Sequence, residues 1–368
     1  MVSEIGDVSR SAALNGKADR ADLGDRLRLA LSQYLQCRRL VAAALAALML
    51  SAPALAQSPQ PSHIEIRAQP IVSFDNRDKE LRRFGKLEFR GGLILTSSAR
   101  EFGSLSAIRV EPDGGRFIAV TDKGFWLRGR IVYAGSRPAG IADAEIAPML
   151  DANGKPLAAR GWFDTEALAE DGGALYVGIE RVHRIVKFDY AKDGLRARGV
   201  PIPVPAEIAS LPWNKGIEAL VFVPKGLPLA GTLIAFSERG LDSTGNLKAF
   251  LIGGPAPGTF YVRRSDEFDI SDAALLPQGD LLVLERRFSW LRGLAVRIRR
   301  IALTQIKPGA IVDGPILFFA DLGQEVDNME GISVHRTASG ETVLTLVSDD
   351  NFSPLQRTIL LQFTLLGE

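Results

Sequence analysis

Five times along this chain a polar residue opens a short apolar run, the run turns through Gly or Pro, and a second apolar run ends on a carboxylate. This repetition narrows the possible folds more than any other feature. The segments are SAIRVEPDGGRFIAVTDKG from Ser106, EALAEDGGALYVGIER from Glu166, EALVFVPKGLPLAGTLIAFSER from Glu218, DAALLPQGDLLVLERR from Asp272 and NMEGISVHRTASGETVLTLVSDDN from Asn328. Each reads as an antiparallel hairpin with a Gly- or Pro-containing turn. The opening residues are Ser106, Glu166, Glu218, Asp272 and Glu330, and the closing acids are Asp122, Glu180, Glu238, Glu285 and Asp349. In every segment the two residues are about equally far from the turn, which places both at the open end of the hairpin.

A repeat of about 50 residues built from roughly four strands is the signature of a propeller blade. Further strand-like runs follow the hairpins, among them RIVKFDY, LKAFLIG and RTILLQFTL. An N-terminal remainder, IEIRAQPIVSF with KLEFRGGLILTSS, brings the natural count to six. The expectation is an all-β chain: a six-bladed β-propeller of four-stranded antiparallel blades over residues 57–368, its ring closed by strands from both ends.

Residues 1–56 read as an N-terminal extension ending in an export signal. Arg38 and Arg39 precede the apolar run LVAAALAALML, and Ala54-Leu55-Ala56 supplies small residues for cleavage. The mature chain would then be periplasmic or secreted, with no stable membrane insertion. Cleavage would also remove Cys37, the only cysteine. That excludes disulfides, cysteine-ligated zinc and a cysteine nucleophile in the mature part. Basic and acidic residues nearly balance, 44 against 43, so no global field draws the chain to nucleic acid. The basic stretch RRFSWLRGLAVRIRR reads as the solvated face of an outer strand.

If the hairpins are the inner strands of the blades, their open ends meet at one mouth of the central channel and the acids form a ring. Neighbouring carboxylates do not all stay charged without a compensating cation. The oxygen-rich, sulfur-free set Glu166, Glu180, Glu218, Glu238, Glu285, Glu330 and Asp349 suits a hard divalent cation such as calcium. Glu218 and Glu330, with His183 as a general base, are the catalytic candidates. His183 also reads as a plain polar residue at a strand end. Four closing acids are followed by a base, Lys123, Arg181, Arg239 or Arg286. Arg181, Arg239 and Arg286 could grip an anionic substrate, or each could pair with a carboxylate of the next blade. No G-x-S-x-G elbow, Walker loop or Rossmann fingerprint is present.

The segments WFDTEALAEDGGALYVGIE, NKGIEALVF, ISDAALLPQGDLLVLERRF, NMEGISV and LVSDDNFSPLQRTILLQFTL resemble successive motifs of the phytase-like family, whose domain is described as having esterase-like activity of phytase. The resemblance spans about Gly92 to Leu365. It implies an exported bacterial β-propeller that hydrolyses phosphate or carboxylic esters, with calcium. Asp272 stands where other repeats have Glu, and Ser106 where they have an acid, so the ring is incomplete on that side. The leading reading is an exported metal-dependent ester hydrolase acting on a small anionic or ester substrate. A propeller that binds a ligand or partner around a structural cation, and a lactonase, are the alternatives.

Overall fold

The inner strands are apolar nearly throughout because both of their faces are covered. Ile217–Phe222 and Asp269–Leu275 are buried at all but their last residue, and Thr342–Asp349 along its whole length. Strands sandwiched between neighbouring sheets lose the in–out alternation of a half-exposed strand. The computed structural model describes residues 59–367, together with helical positions 28, 29, 31–36 and 38. The predicted apolar signal run, its cleavage site and Cys37 lie outside the described residues. Among the described residues no helix is long and apolar enough to cross a membrane.

Ser58–Glu368 form one compact unit of five sheets. Blade 1 runs outward from Leu105–Val110 through Arg116–Thr121, Phe125–Ala134 and Arg137–Pro148, with Ser62–His63 on its outer edge. Blade 2 starts at Thr165–Asp171, blade 3 at Ile217–Phe222 and blade 4 at Asp269–Leu275. Blade 5 starts at Asn328–Arg336 and continues through Thr342–Asp349 and Thr358–Leu365 to the N-terminal strands Leu87–Thr96 and Arg67–Ile71. Pairing is antiparallel except at two outer edges, Arg198–Pro201 beside Leu150–Asp151 and Gly258–Val262 beside Ile311–Val312.

Each inner strand touches the inner strand of the next blade, and that of blade 5 touches that of blade 1. Five apolar clusters fill the five gaps between blades. The ring therefore closes with five blades, not the six expected. The N-terminal remainder builds no sheet of its own. Its strand Leu87–Thr96 pairs in register with Thr358–Leu365, so both ends of the domain complete the fifth blade.

One irregularity recurs. The inner strand of every blade carries an extra, unpaired residue at the same place, a β-bulge: Ser106, Glu166, Glu218, Ser271 and Glu330. Close packing follows just below. A Cβ on Gly331 would lie 2.7 Å from Val347 Cγ2 and 3.1 Å from the Ala107 Cα of the next inner strand, which accounts for Gly there.

Two expectations about blade 4 need correction. The bulge falls at Ser271, so the residue across the hairpin mouth is Arg286, paired with Asp269. Asp272 and Glu285 are each one residue out of step with the acids of the other blades. Glu285 is fully buried within its own sheet, where it accepts from Arg297 Nε at 2.6 Å and Arg299 Nε at 2.8 Å. Those two arginines come from the stretch read as a solvated face, yet are 1% and 2% exposed, because an internal carboxylate claims them.

Asp272, also fully buried, meets Arg109 across the ring, with contacts of 2.9 and 3.1 Å. The Arg109 guanidinium further donates to the carbonyls of Leu220, Ala273 and Ile332, so one side chain from blade 1 ties together blades 3, 4 and 5. This knot floors the channel.

Candidate functional site

Above that floor the bulges aim Glu166, Glu218 and Glu330 inward. The strand after each hairpin turn delivers Asp122, Glu180, Glu238, Arg286 and Asp349 to the same rim. Backbone bonds fix this second set. Asp122, Glu180 and Glu238 donate their N–H groups to the carbonyls of Ser104, Asp164 and Gly216, each two residues before its bulge. Asp349 stands across from Asn328 in the same way. Bulge and closing residue are thus not cross-strand partners, but both reach the open end of the hairpin.

The result is a cavity of about 770 Å³. Its lining includes eight carboxylates, Asp122, Asp164, Glu166, Glu180, Glu218, Asp327, Glu330 and Asp349, against the bases Lys215, Arg286 and Arg357. Arg286 donates to Glu330 at 3.0 Å and reaches Glu238 at 3.5 Å. Lys215 Nζ lies 2.5 Å from Glu238 Oε2. Asp122 accepts from Ser106 Oγ at 2.6 Å, Glu180 from the Gly216 N–H at 2.8 Å, and Glu330 from Asn328 at 2.9 Å. The side chains of Glu166 and Glu218 differ: neither has a hydrogen bond or an ion pair among the described residues, and Glu218 is the more buried, 5% exposed. Glu180, Glu218 and Glu238 each bring a carboxylate oxygen within 4.8 Å of the other two.

Sequence-predicted residues fall into three groups. Glu166, Glu180, Glu218, Glu330, Asp349 and Arg286 line the cavity, and Glu238 stands just behind Glu180 and Glu218. Glu285 is elsewhere, in the arginine pair described above. Arg181, Arg239 and His183 are not among the lining residues. Arg181 pairs with Asp164 at 2.8 Å and packs on Phe163, and Arg239 binds Asp269 of the next blade. His183 sits behind Gly216, with a buried, unpartnered Nδ1. The reading missed Lys215 and Asn214, which lie on the loop entering blade 3, outside the repeat. It also missed Asp164, whose place two residues ahead of a bulge becomes visible only once the bulge is known.

Burial dominates the electrostatics. It pushes the Asp122 carboxyl up to about 7, with Asp349 adding to the rise, and Glu180 to about 7 against the opposing Gly216 N–H. Glu330 rises to about 8, although Arg286 opposes it. Glu166 and Glu218 rise well above the usual glutamate range, through burial first and then through Asp122 and Glu238 respectively. Burial works against the charge of Arg286, but Glu330, Glu238 and Glu218 hold it firmly protonated.

These carboxyls keep protons in the folded chain that the unfolded chain has already released. The folded state therefore binds more protons between about pH 4.5 and 8, and its stability falls as pH rises through that window. In chelator, the melting temperature is expected to drop by several degrees from pH 5 to pH 8. A divalent cation should restore more of it at pH 8 than at pH 5. Thermal unfolding followed by circular dichroism checks both; a melting temperature flat across the range would show that the acids are not strained.

The donor set fits a hard cation. It is all carboxylate oxygen, it contains a buried glutamate without a partner, and no sulfur or imidazole intrudes. Lys215 already neutralises one oxygen of Glu238, which leaves Glu218, Glu180 and Glu166 as the carboxylates most in need of positive charge.

Comparison with known proteins gives one family. Residues 100–352 match the family described as "Phytase-like: Esterase-like activity of phytase". No curated protein matches the chain. Solved structures similar to it include a glutaminyl cyclase from Myxococcus xanthus, at 13% identity and a TM-score of 0.40, covering 73% of this chain and 93% of that one. Another is the PQQ-bound aldose sugar dehydrogenase from Streptomyces coelicolor, at 12% identity and a TM-score of 0.38, covering 83% and 99%.

Proposed function

Because the chain belongs to the phytase-like family, we propose that it is a metal-dependent hydrolase of ester bonds whose active site is the carboxylate cup. The observation that carries this reading is Glu218, a buried acid without a partner, held by a bulge among acids whose pKa values lie near neutrality. A scaffold that needed these residues only for stability would pair them, as it pairs Glu285 and Asp272. An enzyme tolerates such strain at its site.

Glu180, Glu218 and Glu238 would hold a divalent cation, calcium being the best match to their oxygens. When bound, the cation supplies positive charge that polarises an ester oxygen and makes a nearby water more acidic. The chain's own residues do the rest. Arg286, fixed by Glu330, presents a cation for an ester oxygen or phosphate. Glu330 orients that guanidinium. Asp122, poised near pH 7 and outside that trio, is suited to take a proton from water and return it to a leaving alcohol. Asn328 holds Glu330 and Asp349 in place.

The test is hydrolysis by residues 57–368 of phytate, p-nitrophenyl phosphate, p-nitrophenyl acetate and a lactone, each with calcium and with chelator. Turnover of at least one ester, lost in chelator and regained with calcium, is the expected result. Turnover indifferent to chelator would remove the cation from the reading. Complete inactivity of a folded protein would leave a ligand-binding propeller.

A further inference from the structure

The cavity is not acidic all round. Phe288, Leu294, Leu322, Val326 and Leu355 make up a second wall on the side of blades 4 and 5. Three separate segments build it: the hairpin between Leu281–Ser289 and Gly293–Ile301, the loop after Ile316–Asp321, and the loop after Asp349. Phe288 and Leu294 face each other across the hairpin. Leu322 lies against its turn, close enough that a Cβ on Gly293 would come within 3.2 Å of Leu322 Cδ1. Phe288, Leu322 and Leu355 are 61%, 63% and 91% exposed, although all three look into the cavity mouth. Trp290 extends the wall outward, its ring edge-on to Phe288 at 5.6 Å.

Large apolar side chains left in water at a cavity mouth are unfavourable unless something covers them. The lining as a whole, with eight carboxylates against three bases, disfavours a densely charged polyanion. We propose that the cavity takes amphiphilic ligands: an extended acyl or aryl group lies on the Phe288–Leu294–Leu322–Leu355 wall, and the polar end reaches Glu218 and Arg286. Taking that ligand as an ester substrate rests on the hydrolase function proposed above.

Two measurements separate the ideas. The first is kcat/KM for p-nitrophenyl esters from acetate to dodecanoate. The octanoate-to-acetate ratio should be at least about tenfold in the native chain and should fall close to one in Phe288→Ser/Leu355→Ser. The second needs no turnover: fluorescence enhancement of the neutral apolar probe N-phenyl-1-naphthylamine, expected with the native chain and lost in the same variant. Both substituted side chains are exposed, so the fold is not at risk. Ester turnover with a flat chain-length series and no probe binding would overturn the amphiphile proposal and leave the hydrolase intact. Probe binding that the variant abolishes, without turnover of any ester, would keep the apolar subsite and overturn the hydrolase. Probe binding unchanged in the variant would overturn the placement on this wall.

Discussion

Replacing Glu218 with glutamine is expected to lower kcat/KM for the preferred ester about 100- to 1,000-fold, the usual scale for losing one preorganised charged group at a reacting centre. The fold should survive, and the melting temperature in chelator should rise. Glu218 is a largely buried acid with no donor to stabilise its ionised form, so it costs stability as it loses its proton with rising pH, whereas glutamine fits the same space and never ionises. Activity lost while stability is gained is the mark of a residue kept for chemistry. Steady-state kinetics and thermal unfolding on the same preparation decide it. A variant that retains turnover and an unchanged response to calcium would remove Glu218 from the site.

The largest stability effect is expected one layer below. Arg109→Met leaves Asp272 buried without its counter-charge and strips a donor from the carbonyls of three other blades. Breaking a buried pair from one side costs about 3–5 kcal/mol. Burial already pushes the Asp272 carboxyl above its ordinary range even with Arg109 present. Adding Asp272→Ala should recover part of the loss, because the equivalent positions in the other blades are Ala107, Ala167, Ala219 and Gly331. Urea unfolding of the two single variants and the double variant gives the coupling energy. A double variant no more stable than Arg109→Met would mean that the knot acts through the carbonyls alone.

Most of the blade plan was legible because hairpin turns and apolar runs are local features. Asp171-Gly172-Gly173 and Ser339-Gly340 mark turns wherever they occur, and the closing acids are counted from them. The blade count was not legible, since nothing in KLEFRGGLILTSS says that its partner is the last strand of the domain, Thr358–Leu365. Long-range pairing leaves no local trace. The error in blade 4 has a different origin. Symmetry about Pro277-Gln278-Gly279 pairs Asp272 with Glu285 and Ser271 with Arg286 equally well, and only the position of the bulge selects the second pair. A signal was present: Ser271-Asp272-Ala273 aligns with Ser106-Ala107-Ile108, serine against serine, once the opening acid is no longer demanded. Asn214 and Lys215 open the quoted segment NKGIEALVF, but the hairpin spacing did not mark them, because they lie on the loop ahead of the blade 3 hairpin. Of the cup, then, most of the acids and Arg286 could be read from the sequence, whereas Asp164, Asp327, Lys215 and Arg357 could not.

The recurring bulge has a consequence for how such a protein changes over time. A bulged residue lies off the hydrogen-bond ladder and outside the apolar layers, so its identity is only weakly coupled to whether the blade forms. Three blades carry glutamate there and two carry serine, on the same backbone. The five positions differ in freedom: Glu166 and Glu218 face the cavity with no side-chain hydrogen bond or ion pair among the described residues, whereas Ser106 donates to Asp122, Ser271 to the Met329 carbonyl of the next blade, and Glu330 holds Arg286. A lineage built on this frame could retune its mouth by single substitutions while the scaffold stays under ordinary selection for packing, and an engineer could do the same, starting at Glu166, which lines the cavity without a side-chain partner among the described residues.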